Sequence, residues 1–79
     1  MKGGENVRRW LFDLRKSKGL TARELGQRVG VSESYMLNIE HGTRARRGLD
    51  VATICKIAEA TGELAYDLLN AEMAYLKKG

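Results

Sequence analysis

The sequence predicts an all-α chain of five short helices, on the strength of three observations. Proline is absent, nine glycines fall mostly between helical patterns, and apolar residues recur three and four apart with little β-branched alternation. A length of 79 residues fits a single domain spanning 1–79, near the small end of what folds without covalent staples. A single cysteine excludes an intrachain disulfide, and no Cys/His spacing suggests a metal site. A helical core therefore has to hold the fold, completed where needed by a partner chain.

The first helix is expected from about Glu5 to Ser17, with Val7, Trp10, Leu11 and Leu14 at helical spacing and Gly19 ending it. Thr21 opens the second: its hydroxyl can cap the helix while Glu24, three residues on, completes a capping box. Leu25 and Val29 form its apolar face and Gly30 closes it. Ser32 caps the third, which turns Met36 and Ile39 inward and stops at Gly42. After the loop GTRARRGL, Asp50 caps a fourth helix carrying Val51, Ile54, Cys55, Ile57 and Ala58, closed by Gly62. Cys55, flanked by Ile54 and Ile57, reads as buried filler rather than a reactive thiol. The fifth helix runs from near Leu64 to about Lys77, and its first turns, through Leu64 or Ala65 and Leu68, suffice to close the core.

Charge is unevenly placed. Residues 1–48 hold 11 Lys and Arg against 5 Asp and Glu, whereas residues 49–79 hold 3 against 5, within a net +4. A basic front and a mildly acidic back suit a module that presents one face to a polyanion, although a solvated, accidentally asymmetric surface has the same composition. No apolar run approaches the ~18 residues of a membrane span, and the N-terminus lacks a signal-peptide pattern. A cytoplasmic location with no membrane partner is expected.

Two short helices joined by the tight RVGVSES turn, with a glycine at the corner, form a helix-turn-helix signature. The turn is too short for the helices to lie antiparallel, so the second crosses the first and can project into a major groove. On this pattern alone a generic helical corner competes evenly with a DNA reader.

The wider stretch LRKSKGLTARELGQRVGVSESYMLNIEHG resembles the phage-repressor-like helix-turn-helix family, also called the XRE family. The resemblance is carried by the Arg15 to Gly19 spacing, GLT opening the second helix, Leu25, VGVS at the turn, and Ile39, Glu40 and Gly42 at the end of the third. KIAEATG at 56–62 and DLL at 67–69 match the fourth and fifth helices, so the likeness covers roughly residues 7 to 69. It implies a compact five-helix domain of the lambda-repressor-like type, with helices two and three as the helix-turn-helix. Such domains bind double-stranded DNA, usually as dimers in transcriptional control; no cofactor and no small-molecule ligand are expected.

The resemblance also implies roles for individual residues. Arg15 and Glu40 match positions that pair in many members, and opposite charges at the ends of apolar faces are tolerable indoors only when they meet. Positions matching Ser32, Glu33, Ser34 and Asn38 commonly contact bases or nearby phosphates. Asn38 can bond an adenine edge bidentately, Glu33 can accept from a cytosine amino group, and serines tolerate either. Tyr35 can pack on a thymine methyl or donate to a phosphate. The grip is expected from the flanks: Thr43, Arg44, Arg46 and Arg47 in the following loop, with Arg23, Arg28 and His41 as further backbone or minor-groove candidates. A solvated charge run is the competing reading of RARR. Two departures stand out: Ala22 replaces the phosphate-gripping glutamine of many members, and the loop lacks their proline, with Leu49 near its place.

Beyond the turns that close the core, Tyr66, Leu69, Met73 and Leu76 are spaced 3, 4 and 3 apart as a second apolar stripe, which Phe12 and Trp10 can join or cover. The extended fifth helix, about 64–77, is thus expected as a dimerisation element. A two-fold homodimer would set two recognition helices ~34 Å apart on a palindromic or near-palindromic operator. The alternative is that the stripe folds back on its own first helix. The sequence accordingly points to a transcriptional regulator, in particular a repressor, of the kind of a phage-type repressor, a restriction–modification controller protein or a mobile-element regulator. The competing class is an antitoxin-like module that binds a partner protein as well as DNA. An enzyme is not expected: the sole histidine has no catalytic partners in a recognisable arrangement, and there is no phosphate-binding glycine loop.

Overall fold

The three central helices begin where a side chain satisfies an orphan N–H group, and two of them end where the backbone turns left-handed. A computed structural model of the chain describes residues 7–78, with side chains through residue 77. Five helices follow in order: α1 (Arg9–Ser17), α2 (Ala22–Val29), α3 (Glu33–Glu40), α4 (Val51–Thr61) and α5 (Ala65–Lys78). Thr21 and Glu24 form the reciprocal capping box at the start of α2. The Ser32 hydroxyl accepts from the Tyr35 N–H, and the Asp50 carboxylate from the Thr53 N–H. Gly30 and Gly62 close α2 and α4 in the left-handed conformation.

α2 packs against α3 and α4, α5 packs against α4, and α1 reaches both α3 and α5. Leu11, Leu25, Met36, Ile39 and Ile57 are fully buried at the centre, with Val29, Leu49, Ile54, Ala58 and Leu68 around them.

Several expectations need correction. The anticipated start of α1 near Glu5 lies outside the described residues, and the helix begins only at Arg9. Val7 and Arg8 stay non-helical because the Arg8 N–H is drawn to the Glu40 carbonyl at 2.7 Å. Val51 is 60% exposed, since Leu49, just before the cap, turns into the core in its place. Leu64 is also exposed, leaving Ala65 and Leu68 to close the core. Cys55 is half-buried rather than buried.

The stripe on α5 is not uniform. Tyr66 and Met73 stand 72% and 57% exposed. Leu69 instead packs against the core, and Leu76 lies over Gly48, where an added Cβ would meet its Cδ1 at 3.0 Å. With φ at +124°, Gly48 is doubly required: by its backbone and by the leucine above it.

The deepest polar feature went unforeseen. Arg8 is fully buried, and its guanidinium forks onto the Glu72 carboxylate, Nε to Oε1 at 2.8 Å and Nη2 to Oε2 at 2.9 Å. Its remaining N–H groups reach the carbonyls of Ile39 and Ala45, and the Tyr75 ring lies 4.5 Å away, centroid to Cζ. Glu72 also accepts from the Trp10 indole at 3.0 Å and the Leu49 N–H at 2.8 Å. Burial pushes the Glu72 carboxyl up, but bonds from Arg8, the Leu49 N–H and Trp10 outweigh it and hold the group below its usual range.

Two predictions follow from this pair. Arg8→Ala strands a buried carboxylate and should destabilise the domain by about 3–5 kcal/mol. Arg9→Ala, at an exposed neighbour whose partners among the described residues are the exposed Asp13 and the Phe12 ring, should stay within about 0.5 kcal/mol. Urea unfolding of both decides, and equal losses would refute the assignment. Because the folded-state pKa of Glu72 is depressed, its contribution is complete above the ordinary value of 4.5 and is lost as pH falls through the lower folded value. Thermal unfolding should therefore weaken on acidification below that point, and less steeply in Glu72→Gln. A parallel acid limb in the two proteins would refute the linkage.

Candidate nucleic-acid interface

The α2–α3 corner is tight because α2 carries no side chain where the turn crosses it. A Cβ added at Gly26 would sit 2.8 Å from the Val31 carbonyl oxygen and 3.2 Å from that of Ser32. The Gly26 carbonyl accepts from the N–H groups of Gly30 and Val31, at 2.7 and 2.8 Å, so the chain reverses directly over it.

The far end of α3 is tied down electrostatically. Arg15 and Glu40 are both buried and meet as a two-point ion pair, Nε to Oε2 and Nη2 to Oε1, the latter at 3.0 Å. Arg15 Nη1 also donates to the Leu20 carbonyl at 3.0 Å. The hydrogen bond that Arg15 donates to Glu40 raises the Arg15 pKa despite its partial desolvation. Glu40 thus lies within the fold and off the outer surface of α3.

That outer surface presents Ser32, Glu33 and Ser34, all exposed on the first turn. The Ser32 oxygen already caps the helix, leaving its hydroxyl proton to donate. Tyr35 and Asn38 are half-buried, and Leu37 packs against the core edge. The loop departs straight from α3: the Asn38 carbonyl accepts from the N–H groups of Thr43 and Arg44 and from the Thr43 hydroxyl, at 3.0, 3.2 and 3.1 Å. His41, Thr43, Arg44, Arg46 and Arg47 are exposed there, and Arg44 lies over the Tyr35 ring at 5.7 Å. The structure therefore gathers three polar side chains and three arginines beside one short helix.

Other candidates sit apart. Arg23 is exposed on the first turn of α2, while Arg28 donates to the Ala60 carbonyl at the end of α4, beside Lys56 and Glu59. Ala22 is buried and serves packing. Sequence reasoning missed Arg8 and Glu72, which hold the loop after α3 from behind, and read Trp10 only as an apolar residue although its indole donates to Glu72. A signal existed: Leu68, Glu72 and Tyr75, spaced 4 and 3 apart, place the carboxylate on an inward row.

No group of three His, Cys, Asp or Glu side chains able to hold a metal ion occurs among the described residues. None of the described helices is long and apolar enough to cross a membrane.

Comparison with known proteins agrees with this geometry. The chain is 41% identical over 49 residues to an uncharacterized HTH-type transcriptional regulator of Sinorhizobium fredii. The aligned stretch covers 62% of this chain and 60% of that relative, so the chain spans less than two thirds of its length. No solved structure matches significantly. The family model for the helix-turn-helix domain matches residues 9–68, from the first residue of α1 to the buried Leu68 of α5, and the chain belongs to the helix-turn-helix domain family.

Proposed function

We propose that this chain is a sequence-specific DNA-binding regulator of transcription, acting as a repressor on a palindromic or near-palindromic operator. The observation that carries the reading is the placement of Ser32, Glu33 and Ser34 at the exposed start of α3, beside the exposed Arg44, Arg46 and Arg47. Polar side chains at a recognition-helix start can read base edges, and flanking arginines can neutralise phosphates without carrying sequence information. Asn38, half-buried further along α3, is the candidate for bidentate contact with an adenine edge. Arg23, His41 and Thr43 are assigned to the backbone, as is Arg28 once released from Ala60. The printed name of the Sinorhizobium fredii relative supports a role in transcription.

A homodimer through α5 completes the proposal. Tyr66 and Met73, seven residues apart, are exposed on one helix, and Leu69 and Leu76 border them while leaning on their own chain. Two copies joined there would present two α3 helices to successive turns of a duplex. The same exposed pair favours a second reading, in which α5 receives a different protein while the helix-turn-helix binds DNA.

Selection of sites from random DNA should return a palindromic sequence bound with salt-sensitive affinity. On that sequence Asn38→Ala should relax preference at one position per half-site, by about 1–3 kcal/mol of discrimination. Arg46→Ala should weaken all sequences alike and lower the salt slope by about 1. An unchanged preference in Asn38→Ala would remove that residue from the reading set. Light scattering should find a dimer that Met73→Glu converts to a monomer. A monomer both free and on DNA would eliminate the two-fold model.

A further inference from the structure

Within the basic loop after α3, one buried ion pair holds both feet of the turn that carries Arg46 and Arg47. At the first foot Ala45 adopts a left-handed backbone with φ at 56°, although it is not glycine. An alanine keeps that conformation only where its surroundings over-determine it. Here the Ala45 carbonyl accepts from Arg8 Nη2 at 2.8 Å and from the Gly48 N–H at 3.0 Å. The second bond closes a four-residue turn with Arg46 and Arg47 as its central pair. At the other end the Leu49 N–H donates to Glu72 Oε2 at 2.8 Å, and Leu76 covers Gly48. Arg8 and Glu72 bond directly to each other, so one contact fixes both feet of the turn.

We propose that Arg8 and Glu72 are positioning residues for the DNA grip, holding Arg46 and Arg47 as a preformed turn beside the recognition helix. This rests on the DNA-binding reading above. An unstructured arm would have to order its backbone on the duplex, and that entropic loss would be subtracted from affinity. Here the ordering is completed during folding, leaving the arginine side chains to settle on phosphates. The role demands arginine at position 8. A lysine can neutralise Glu72, but its single ammonium cannot fork onto the carboxylate while also reaching the Ile39 and Ala45 carbonyls.

Amide hydrogen exchange on the free wild-type protein is the first test. The Gly48 and Leu49 N–H groups should be protected well beyond peptide rates; exchange at peptide rates would overturn the proposal. The second test is a double-mutant cycle on the selected operator across a salt series. In the wild-type background, Arg46→Ala with Arg47→Ala should lower the salt slope by about 2. In an Arg8→Lys background that remains folded by circular dichroism, the same two substitutions should produce a much smaller fold-loss, because a loosened turn no longer delivers its charges. Equal fold-losses in the two backgrounds would mean that Arg8 serves stability alone, and would overturn the proposal. Should Arg8→Lys unfold, the exchange result on the wild type still decides. If the wild-type protein showed no salt-sensitive DNA binding, the regulator reading would fail while the protection of Gly48 and Leu49 stood as a separate result.

Discussion

A guanidinium and a carboxylate buried together in so small a core oblige everything around them to supply hydrogen bonds, and the Arg8–Glu72 pair organises this chain accordingly. Taking two such ions out of water costs several kcal/mol each, which only close geometry and complete satisfaction of their polar atoms can offset. That satisfaction is present: two carbonyls from the end of α3 and the loop beyond it, an indole N–H from α1 and a backbone N–H ahead of α4 complete the set. No buried side-chain nitrogen or oxygen among the described residues lacks a partner. Every segment the pair touches is thereby placed relative to the others, and slippage of any one would leave an ion exposed to an apolar interior.

The second buried pair, Arg15–Glu40, converges on the same place. Arg8 holds the Ile39 carbonyl by its side chain and the Glu40 carbonyl by its backbone, while Arg15 holds the Glu40 carboxylate. The C-terminal end of α3 is therefore anchored from α1 and its entry, whereas its N-terminal turn is left facing outward. This division explains how a helix with two glutamates and no lysine or arginine can serve a basic protein. One carboxylate is neutralised within, the other stands at the helix start, and the positive charge is carried by the loop that follows.

The helices were legible because their signals are local. Thr21 with Glu24, Ser32 and Asp50 each declare a helix start through a bond spanning three residues, and Leu25, Val29, Met36 and Ile39 declare an inward face by spacing. The pairing of Arg15 with Glu40 came through family resemblance, since nothing in the spacing of two residues 25 apart announces it. What stayed hidden was non-local. Arg8 and Glu72 are 64 residues apart, and Arg8 beside Arg9 reads as ordinary surface charge. Periodicity also misassigned Val51 and left Leu64 and Ala65 as alternatives, because helical spacing identifies a face without saying how far along it the core extends. The apolar stripe on α5 was drawn correctly as a pattern, yet Leu69 and Leu76 turned out to lean on their own chain.

The arrangement of α3 separates an exposed first turn from an anchored end. Met36, Ile39 and Glu40 are buried and bound into the fold, while Ser32, Glu33 and Ser34 bear almost none of its packing. On the proposed DNA-binding reading such a helix is open to retargeting: changes at Glu33 and Ser34 would alter the sequence sought without disturbing the scaffold that presents it. A lineage of these proteins could thus diverge in the DNA it addresses while keeping one unchanging body.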